Sequence, residues 1–154
     1  MNLKFMEIAI KESKKGARKG HGGPFGSVIV KDNRVVAQGH SMVLKTNNPS
    51  RHSDMEVISK AGKRLGTFDL SGCDLYTTSQ PCPMCLSAAL WANIDNIYYG
   101  IGDKDMIKIG HRIDMFKGIV CIESQSVINV QQFGYDICRA ALDEYENKGK
   151  KVTY

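Results

Sequence analysis

The chain has 154 residues, of which 42% are hydrophobic and 24% are charged, and its formal net charge is +5. This length suits a single domain, residues 1–154, with a full hydrophobic core. No run of 18 apolar residues occurs, so we expect no membrane span, and the mild positive charge permits contact with nucleic acid without requiring it.

The N-terminal half of the chain predicts a helix, a hairpin and a second helix. Helical periodicity covers residues 3–19, and the glycines that follow end it. Two β-branched runs, 27–31 and 34–37, flank Asp32-Asn33 and predict a β-hairpin. After a turn cluster, a helix is predicted over 52–65.

The C-terminal half continues the alternation of strands and helices. A strand at 74–78 precedes a helix at 82–92, whose prolines suit a first turn. The remaining predictions are a strand at 96–100, an irregular stretch at 101–117, strands near 119–122 and 126–130, and a closing helix at 131–147. This order predicts a central sheet covered on both faces, and the hairpin makes that sheet mixed.

Three residues have the chemistry and spacing of a zinc site. His52 supplies an imidazole, and Cys82 and Cys85 supply two thiolates. Zinc takes four ligands in a tetrahedron, so a set of three leaves one position for water, as in catalytic sites. Cys82 and Cys85 are three residues apart at a predicted helix N-terminus, where the helix dipole favours the thiolate form. We predict one Zn²⁺ per chain.

Two other interpretations compete for these residues. A CxxC alone is also typical of a redox pair, but that function does not require the upstream His52 and its neighbouring carboxylate. A structural zinc would need a fourth ligand, for which His40 or Cys73 is available. The chain has five cysteines and no signal peptide, so we expect reduced thiols and a cytoplasmic protein.

Asp54 is the candidate catalytic residue. It follows His52 by two positions, close to where a metal-bound water would lie. In that place a carboxylate would take a proton from water and deliver it to a ring nitrogen and then to a leaving amine. Glu56 competes for this function, because it lies four residues after His52 on the same helical face.

The chain resembles the zinc-dependent cytidine-deaminase-like superfamily, and within it the bacterial guanine deaminases, over nearly its whole length. The segments that carry the resemblance are Gly22–Gly26, Leu65–Cys73, Leu75–Thr77, Pro81–Leu86 and Leu90–Ala92. The resemblance implies a three-layer α/β/α fold with a mixed five-stranded sheet. It also implies hydrolysis of an amino group on a heterocycle to a carbonyl, with release of ammonia.

The resemblance further implies a homodimer and a set of substrate-binding residues. Guanine deaminases of this type exchange a C-terminal segment, which here would be about residues 131–154, and a terminal tyrosine, here Tyr154, reaches the substrate pocket. Phe25 would stack on the base, and Trp91 matches a pocket tryptophan.

Several residues depart from the family pattern where the substrate would bind. The family's catalytic Glu is Asp54 here, which is one methylene shorter, and the usual base-binding Asn is Ser41. Gln80 replaces the family's Glu before Pro-Cys. Residues 110–114 replace an acidic stretch of the family, and Asp114 is the residue that could take over part of its contribution to substrate binding. Such changes predict an altered substrate or a weakened enzyme.

The sequence leaves four candidate functions to be tested. Deamination of guanine or a related free purine is favoured. The second is deamination of cytosine or another amino-heterocycle, since residues 39–42 and 75–78 also resemble fungal cytosine deaminases. The third, tRNA adenosine deamination, calls for a stronger basic face than residues 14–19 and 148–151 offer, so nucleic acid is not an expected partner. The fourth is a zinc-binding homologue with weak or lost catalysis.

Overall fold

A computed structural model describes residues 1–116, residues 128–149 and Tyr154. Within these ranges the helices are α1 (Leu3–Arg18), α2 (Val43–Thr46), α3 (Ser53–Leu65), α4 (Pro83–Trp91), α5 (Asp103–Lys108) and α6 (Tyr135–Glu146), with a 3₁₀ helix at Ile113–Phe116. The strands are β1 (Gly26–Lys31), β2 (Arg34–His40), β3 (Cys73–Ser79), β4 (Asn96–Ile101) and β5 (Asn129–Gln132). Among the described residues, no helix is both long enough and apolar enough to cross a membrane.

The strands form one mixed sheet in the order β2-β1-β3-β4-β5. β1 runs antiparallel to β2 and to β3, whereas β3, β4 and β5 are mutually parallel. The β1–β2 hairpin turns at Asp32 and Asn33, whose φ angles of 48° and 58° are left-handed. Asp and Asn tolerate that conformation better than other side chains, which is why this dipeptide makes the turn.

Both faces of the sheet are covered. Neighbouring residues of β1 pack into different cores: Val28 lies in a cluster with Met6 of α1, and Ile29 lies in one with Val57 of α3. Helices α5 and α6 contribute to the first cluster, and α4 contributes to the second. Since successive side chains of a strand point to opposite faces, this alternation makes three layers. The predicted α/β/α fold with a five-stranded mixed sheet is confirmed.

The differences from the predicted elements are local. α5 forms inside the stretch 101–117 that was predicted irregular, because Met106 anchors this six-residue helix in the core. The last strand lies at Asn129–Gln132, and the closing helix begins only at Tyr135. The strand predicted near 119–122 lies outside the described residues.

One edge of the sheet brings several chain segments together. β3 ends at Ser79, and the chain passes through Gln80 into α4. The Gln80 N–H donates to the carbonyl of Ile101 at 2.8 Å, which ties this connection to the end of β4. In open α/β sheets, ligands bind at the carboxyl ends of parallel strands, and this is the edge where the candidate site lies.

Candidate active site

His52, Cys82 and Cys85 come together as the sequence predicts. Their ligand atoms form a compact triangle, with His52 Nδ1 3.7 Å from each sulfur and the two sulfurs 3.6 Å apart. Tetrahedral zinc, with bonds of about 2.3 Å to sulfur and about 2.0 Å to nitrogen, would place sulfurs about 3.8 Å apart and sulfur and nitrogen about 3.6 Å apart. The three residues therefore fit zinc without rearrangement. Among the described residues, no fourth His, Cys, Asp or Glu joins this group, so His40 and Cys73 are not ligands.

Two helix N-termini position the three ligands. His52 is the N-cap of α3, and Cys82 is the N-cap of α4, both with extended backbone. Pro83 follows at the first position of α4, where a missing N–H costs nothing. The positive ends of two helix dipoles therefore meet at the sulfurs, which stabilises negative charge there.

The two thiols differ in acidity. The hydrogen bond from Cys85 lowers the pKa of Cys82 far below its usual range, and a further hydrogen bond from His52 acts in the same direction. The pKa of Cys85 is raised, first because its thiol donates to Cys82 and then because it is buried. Cys82 is therefore the first of the pair to become a thiolate, the form that binds metal.

Asp54 is buried beside the metal-binding residues and is held by hydroxyl groups. Its Oδ1 accepts a hydrogen bond from Ser27 Oγ at 2.5 Å, and Ser27 Oγ lies 2.8 Å from Ser53 Oγ and 3.1 Å from Thr77 Oγ1. Since a hydroxyl has one proton, Ser27 donates to the carboxylate and accepts from Ser53. Burial raises the pKa of Asp54, and the hydrogen bonds from Ser27 and Thr77 offset part of that rise.

Glu56, the alternative carboxylate, lies elsewhere. Both of its oxygens accept hydrogen bonds from the Arg51 guanidinium, at 2.5 and 2.8 Å. It does not line the cavity that contains Asp54 and the metal-binding residues. Asp54 is therefore the carboxylate available to the site.

A cavity at this edge contains aromatic rings as well as the polar residues. Its lining includes Phe25, Asp54 and His111 along with the three metal-binding residues. The rings of Phe25 and His111 meet edge to face, with centroids 5.1 Å apart. Gln80, the residue that replaces a family Glu, also faces the cavity. The cavity volume is about 20 Å³, room for one water molecule, and stacking of a base on Phe25 stays a prediction.

Ser41 and Tyr154 meet at the side of the site. Their hydroxyl oxygens are 2.7 Å apart, and the Tyr154 hydroxyl also accepts a hydrogen bond from the Gly23 N–H at 2.6 Å. The Tyr154 ring lies 6.3 Å from that of His52. Two residues that the sequence assigned separately to substrate binding thus form one hydrogen-bonded pair.

The structure does not bring Trp91 or Asp114 to the cavity. Trp91 is 84% exposed and lies with Phe68 in a separate surface depression. It is the last residue of α4, whereas the metal-binding cysteines are at the N-terminal end of that helix. Asp114 is exposed in the 3₁₀ helix, whose first residue, Ile113, takes the buried position instead. Within the single chain neither side chain lines the cavity, and their contact with a substrate stays a prediction.

Comparison with known proteins identifies the family. A family model described as the cytidine and deoxycytidylate deaminase zinc-binding region matches residues 1–101. The guanine deaminase of Bacillus subtilis is 41% identical over 106 residues, which are 69% of this chain and 68% of that protein. The chain belongs to the cytidine and deoxycytidylate deaminase zinc-binding family. The predictions of a zinc deaminase, a hydrolase acting on C–N bonds in cyclic amidines, are confirmed.

Other members of this deaminase family are also similar. The tRNA-specific adenosine deaminase of Aquifex aeolicus is 35% identical over 65% of this chain and 66% of that protein. The tRNA-specific adenosine deaminase of Agrobacterium fabrum is 33% identical over 84% of this chain and 91% of that protein. The solved structure of Bacillus subtilis guanine deaminase superimposes with a TM-score of 0.74 and 33% identity, covering 100% of this chain and 99% of that one.

Sequence reasoning missed two features of this deaminase site. Ser27 lies on the sheet face covered by α3, and a serine directly before the β-branched run Val28-Ile29-Val30 is the available signal. His111 was noticed only as part of a segment that departs from the family pattern. Nothing local in the sequence distinguishes it from a surface histidine, because its burial depends on Phe25 and other residues distant in the chain.

Proposed function

We propose that this protein deaminates a free amino-heterocycle, with guanine or a related purine favoured. The reaction replaces the exocyclic amino group by a carbonyl oxygen from water and releases ammonia. The observation that carries this proposal is the presence of the metal-binding triad, a buried carboxylate and Phe25 in one cavity. Similarity to guanine deaminase of Bacillus subtilis supports the choice of substrate.

The metal-binding residues and Asp54 divide the chemistry between them. His52, Cys82 and Cys85 would hold zinc, which acts as a Lewis acid and activates water for hydrolysis. Asp54 would take a proton and return it, first to a ring nitrogen and then to the leaving amine.

The hydroxyl cluster compensates for the shorter side chain of Asp54. A carboxylate misplaced by about 1 Å can cost on the order of 100-fold in rate. Here Ser27 fixes Asp54 from β1, and Thr77 supports Ser27 from β3. The catalytic carboxylate is thus held by the rigid sheet, and its orientation does not depend on its own length alone.

Substrate binding is assigned to Phe25 in the cavity and to the Ser41–Tyr154 hydroxyl pair beside the site. Phe25 would stack on the face of the base, which any flat ring permits. The Ser41–Tyr154 hydroxyl pair would bind a polar edge or close the site beside it. Neither group distinguishes purines strongly from pyrimidines, so the ring preference depends on other polar atoms of the cavity.

tRNA is the second candidate substrate, because tRNA-specific adenosine deaminases are among the relatives. Lysines from the two basic segments do meet in a groove between α1 and α6, but Glu144 forms ion pairs there with both Lys14 and Lys148. This pairing reduces the positive charge that an RNA backbone would require. A gel-shift titration with tRNA at two salt concentrations tests this candidate, and salt-dependent binding would favour it.

The test of the main proposal is a screen for ammonia release by the zinc-loaded protein. The panel contains guanine, cytosine, isocytosine, adenine, their nucleosides, and amino-pterins and amino-triazines. Deamination of guanine or a related purine supports the proposal, and activity only on cytosine-type rings would change the substrate class. Release of no ammonia across the panel would favour the homologue with lost catalysis.

We also propose a homodimer in which residues of about 131–154 are exchanged. Within the single chain, α6 packs on its own α1, and the Cys138 side chain fills the space above Gly100 of β4. The same contacts could form between subunits. Light scattering would give the mass in solution, and mixing His52→Ala protein with a Tyr154-deleted form would restore activity if the segment is exchanged. We also propose a cytoplasmic location. The cysteines that the structure describes are buried and form no disulfide bonds, which is consistent with a reducing compartment.

A further inference from the structure

His111 lines the cavity and carries a buried nitrogen that has no partner among the described residues. The residue is 9% exposed, and its Nδ1 has no hydrogen-bond partner within residues 1–116, residues 128–149 or Tyr154. The large majority of buried side-chain polar atoms in folded proteins are paired, because an unpaired one loses its bonds to water without replacement. An exception inside a cavity indicates a group that meets a ligand.

The backbone holds His111 firmly in this place. Gly110 has a φ of 89°, a left-handed conformation that ends α5 and turns the chain back toward the sheet. The His111 N–H then donates to the carbonyl of Met106 at 3.1 Å. Two residues later, Ile113 enters the core. The imidazole is thus fixed between two anchored points and is not a side chain on a free loop.

Three aromatic rings surround the imidazole. Ring centroids lie 5.1 Å away at Phe25, 6.2 Å at His52 and 6.3 Å at Tyr154, all in edge-to-face contacts. His111 therefore lies between the residue proposed to stack on the base and a metal-binding residue. A heterocycle bound with its reacting carbon toward the metal site would pass beside it.

Metal coordination does not account for the unpaired nitrogen. The ligand atoms of His52, Cys82 and Cys85 lie within 4.8 Å of one another, and His111 is not a member of that group. A neutral imidazole nitrogen either donates or accepts one hydrogen bond, according to its tautomer.

We propose that His111 is a specificity-determining residue, which forms a hydrogen bond through Nδ1 with the polar edge of the amino-heterocycle. This inference rests on the proposed function. A carboxylate in this place could only accept hydrogen bonds, and it would therefore select rings that present N–H groups. An imidazole also accommodates an unprotonated ring nitrogen. The substrate class therefore extends to amino-heterocycles whose edge carries such a nitrogen, and guanine is not uniquely selected.

Substitutions at His111 separate the hydrogen bond from the shape of the side chain. His111→Phe keeps a flat ring against Phe25 but removes the bond, and we expect KM to rise roughly tenfold or more while kcat changes less. His111→Asn places amide atoms near Nδ1 and should restore much of the binding. His111→Asp accepts only, and should shift the preference toward guanine over cytosine and adenine.

A binding measurement makes the test independent of turnover. Calorimetric titration of 8-azaguanine into zinc-loaded wild type, His111→Phe and His111→Asn should give weak binding only for the Phe variant. Arg112→Ala, a change at the exposed neighbour, is the matched control and should bind as the wild type does. Thermal unfolding of each variant shows whether it is folded. If His111→Phe is not folded, a difference in substrate preference between His111→Asn and His111→Asp tests the inference instead.

Several outcomes overturn the inference. Wild-type affinity in a folded His111→Phe variant would do so, as would loss of affinity on Asp114→Asn with His111→Phe unaffected. Absence of any binding by the wild type would overturn it together with the proposed function. If the wild type binds 8-azaguanine but deaminates nothing in the panel, the proposed function fails, and the binding series still decides the contribution of His111.

Discussion

Ser27 Oγ lies 2.5 Å from Asp54 Oδ1 and donates the hydrogen bond that orients this carboxylate. The contact joins β1 to the first turn of α3, and Thr77 of β3 supports it from the next strand. The family pattern has a longer Glu where this chain has Asp54. A carboxylate anchored by two strands provides another way to hold the group that moves protons, and it makes Asp54 directly testable.

Asp54→Asn should abolish turnover and leave zinc bound. The amide keeps the shape and the contact with Ser27 but cannot shuttle a proton, and the loss should be about 100-fold to 10,000-fold. Ammonia release measures turnover, and elemental analysis measures zinc in the same sample. Glu56→Gln is the matched control, because Glu56 pairs with Arg51 outside the cavity. Retained turnover in the Asp54 variant would assign the proton transfer to another group.

Loss of a metal-binding side chain should release zinc. His52→Ala, Cys82→Ser and Cys85→Ser each leave two of three ligands, so zinc content should fall well below one per chain, and thermal stability should fall with it. Cys138→Ala removes a buried cysteine outside the group and serves as the control, with zinc retained. Full zinc stoichiometry in the His52, Cys82 or Cys85 variant would show that the assignment of that ligand is wrong.

Ser41 and Tyr154 should behave as a coupled pair. Ser41→Ala and Tyr154→Phe each remove one hydroxyl of the 2.7 Å contact, so each should raise KM for the substrate identified in the screen. Both changes remove the same hydrogen bond. The loss of binding free energy in the double variant should therefore be smaller than the sum of the two single losses, with a coupling energy of about 0.5–3 kcal/mol. Tyr135→Phe is the control at a half-exposed tyrosine. Additive effects would show that the two hydroxyls act separately.

Glu12 should stabilise the protein at neutral pH but not in acid. Burial alone would raise the pKa of Glu12, but hydrogen bonds from His40 and Lys15 outweigh it and lower the pKa below 4.5. A carboxyl with a lowered folded-state pKa stabilises above its unfolded value of 4.5, and this contribution is lost as the pH falls through the folded value.

Glu12→Gln should therefore unfold at lower denaturant concentration at pH 7, with a loss of about 1–3 kcal/mol, and the difference from the wild type should shrink below pH 4.5. Urea unfolding of both proteins across this range measures the difference. Lys15→Gln, which removes the exposed partner only, should have a smaller effect. A constant difference at all pH values would contradict the ionic explanation.

Much of the fold could be predicted because its signals are local. The turn at Asp32-Asn33 needs left-handed backbone that these residues tolerate, and the structure has it there. The helix predicted over 52–65 is α3, Ser53–Leu65, and it stops at Gly66, whose φ is 70°. α5 could not be predicted in the same way, because six residues give too short a period and its position depends on Met106 entering a core built elsewhere.

The amino-acid sequence by itself determined the metal-binding group and the family, and it predicted Asp54 as the catalytic carboxylate. Zinc chemistry restricts ligand type and spacing so strongly that His52, Cys82 and Cys85 are recognisable without coordinates. Only the tertiary structure decided which other side chains share the cavity. In the single chain it placed Trp91 and Asp114 outside the cavity, His111 in its lining and Ser27 behind Asp54, because these relationships join residues far apart in the chain. Substrate choice depends on such long-range contacts, and for that reason the sequence specified the reaction more closely than the base.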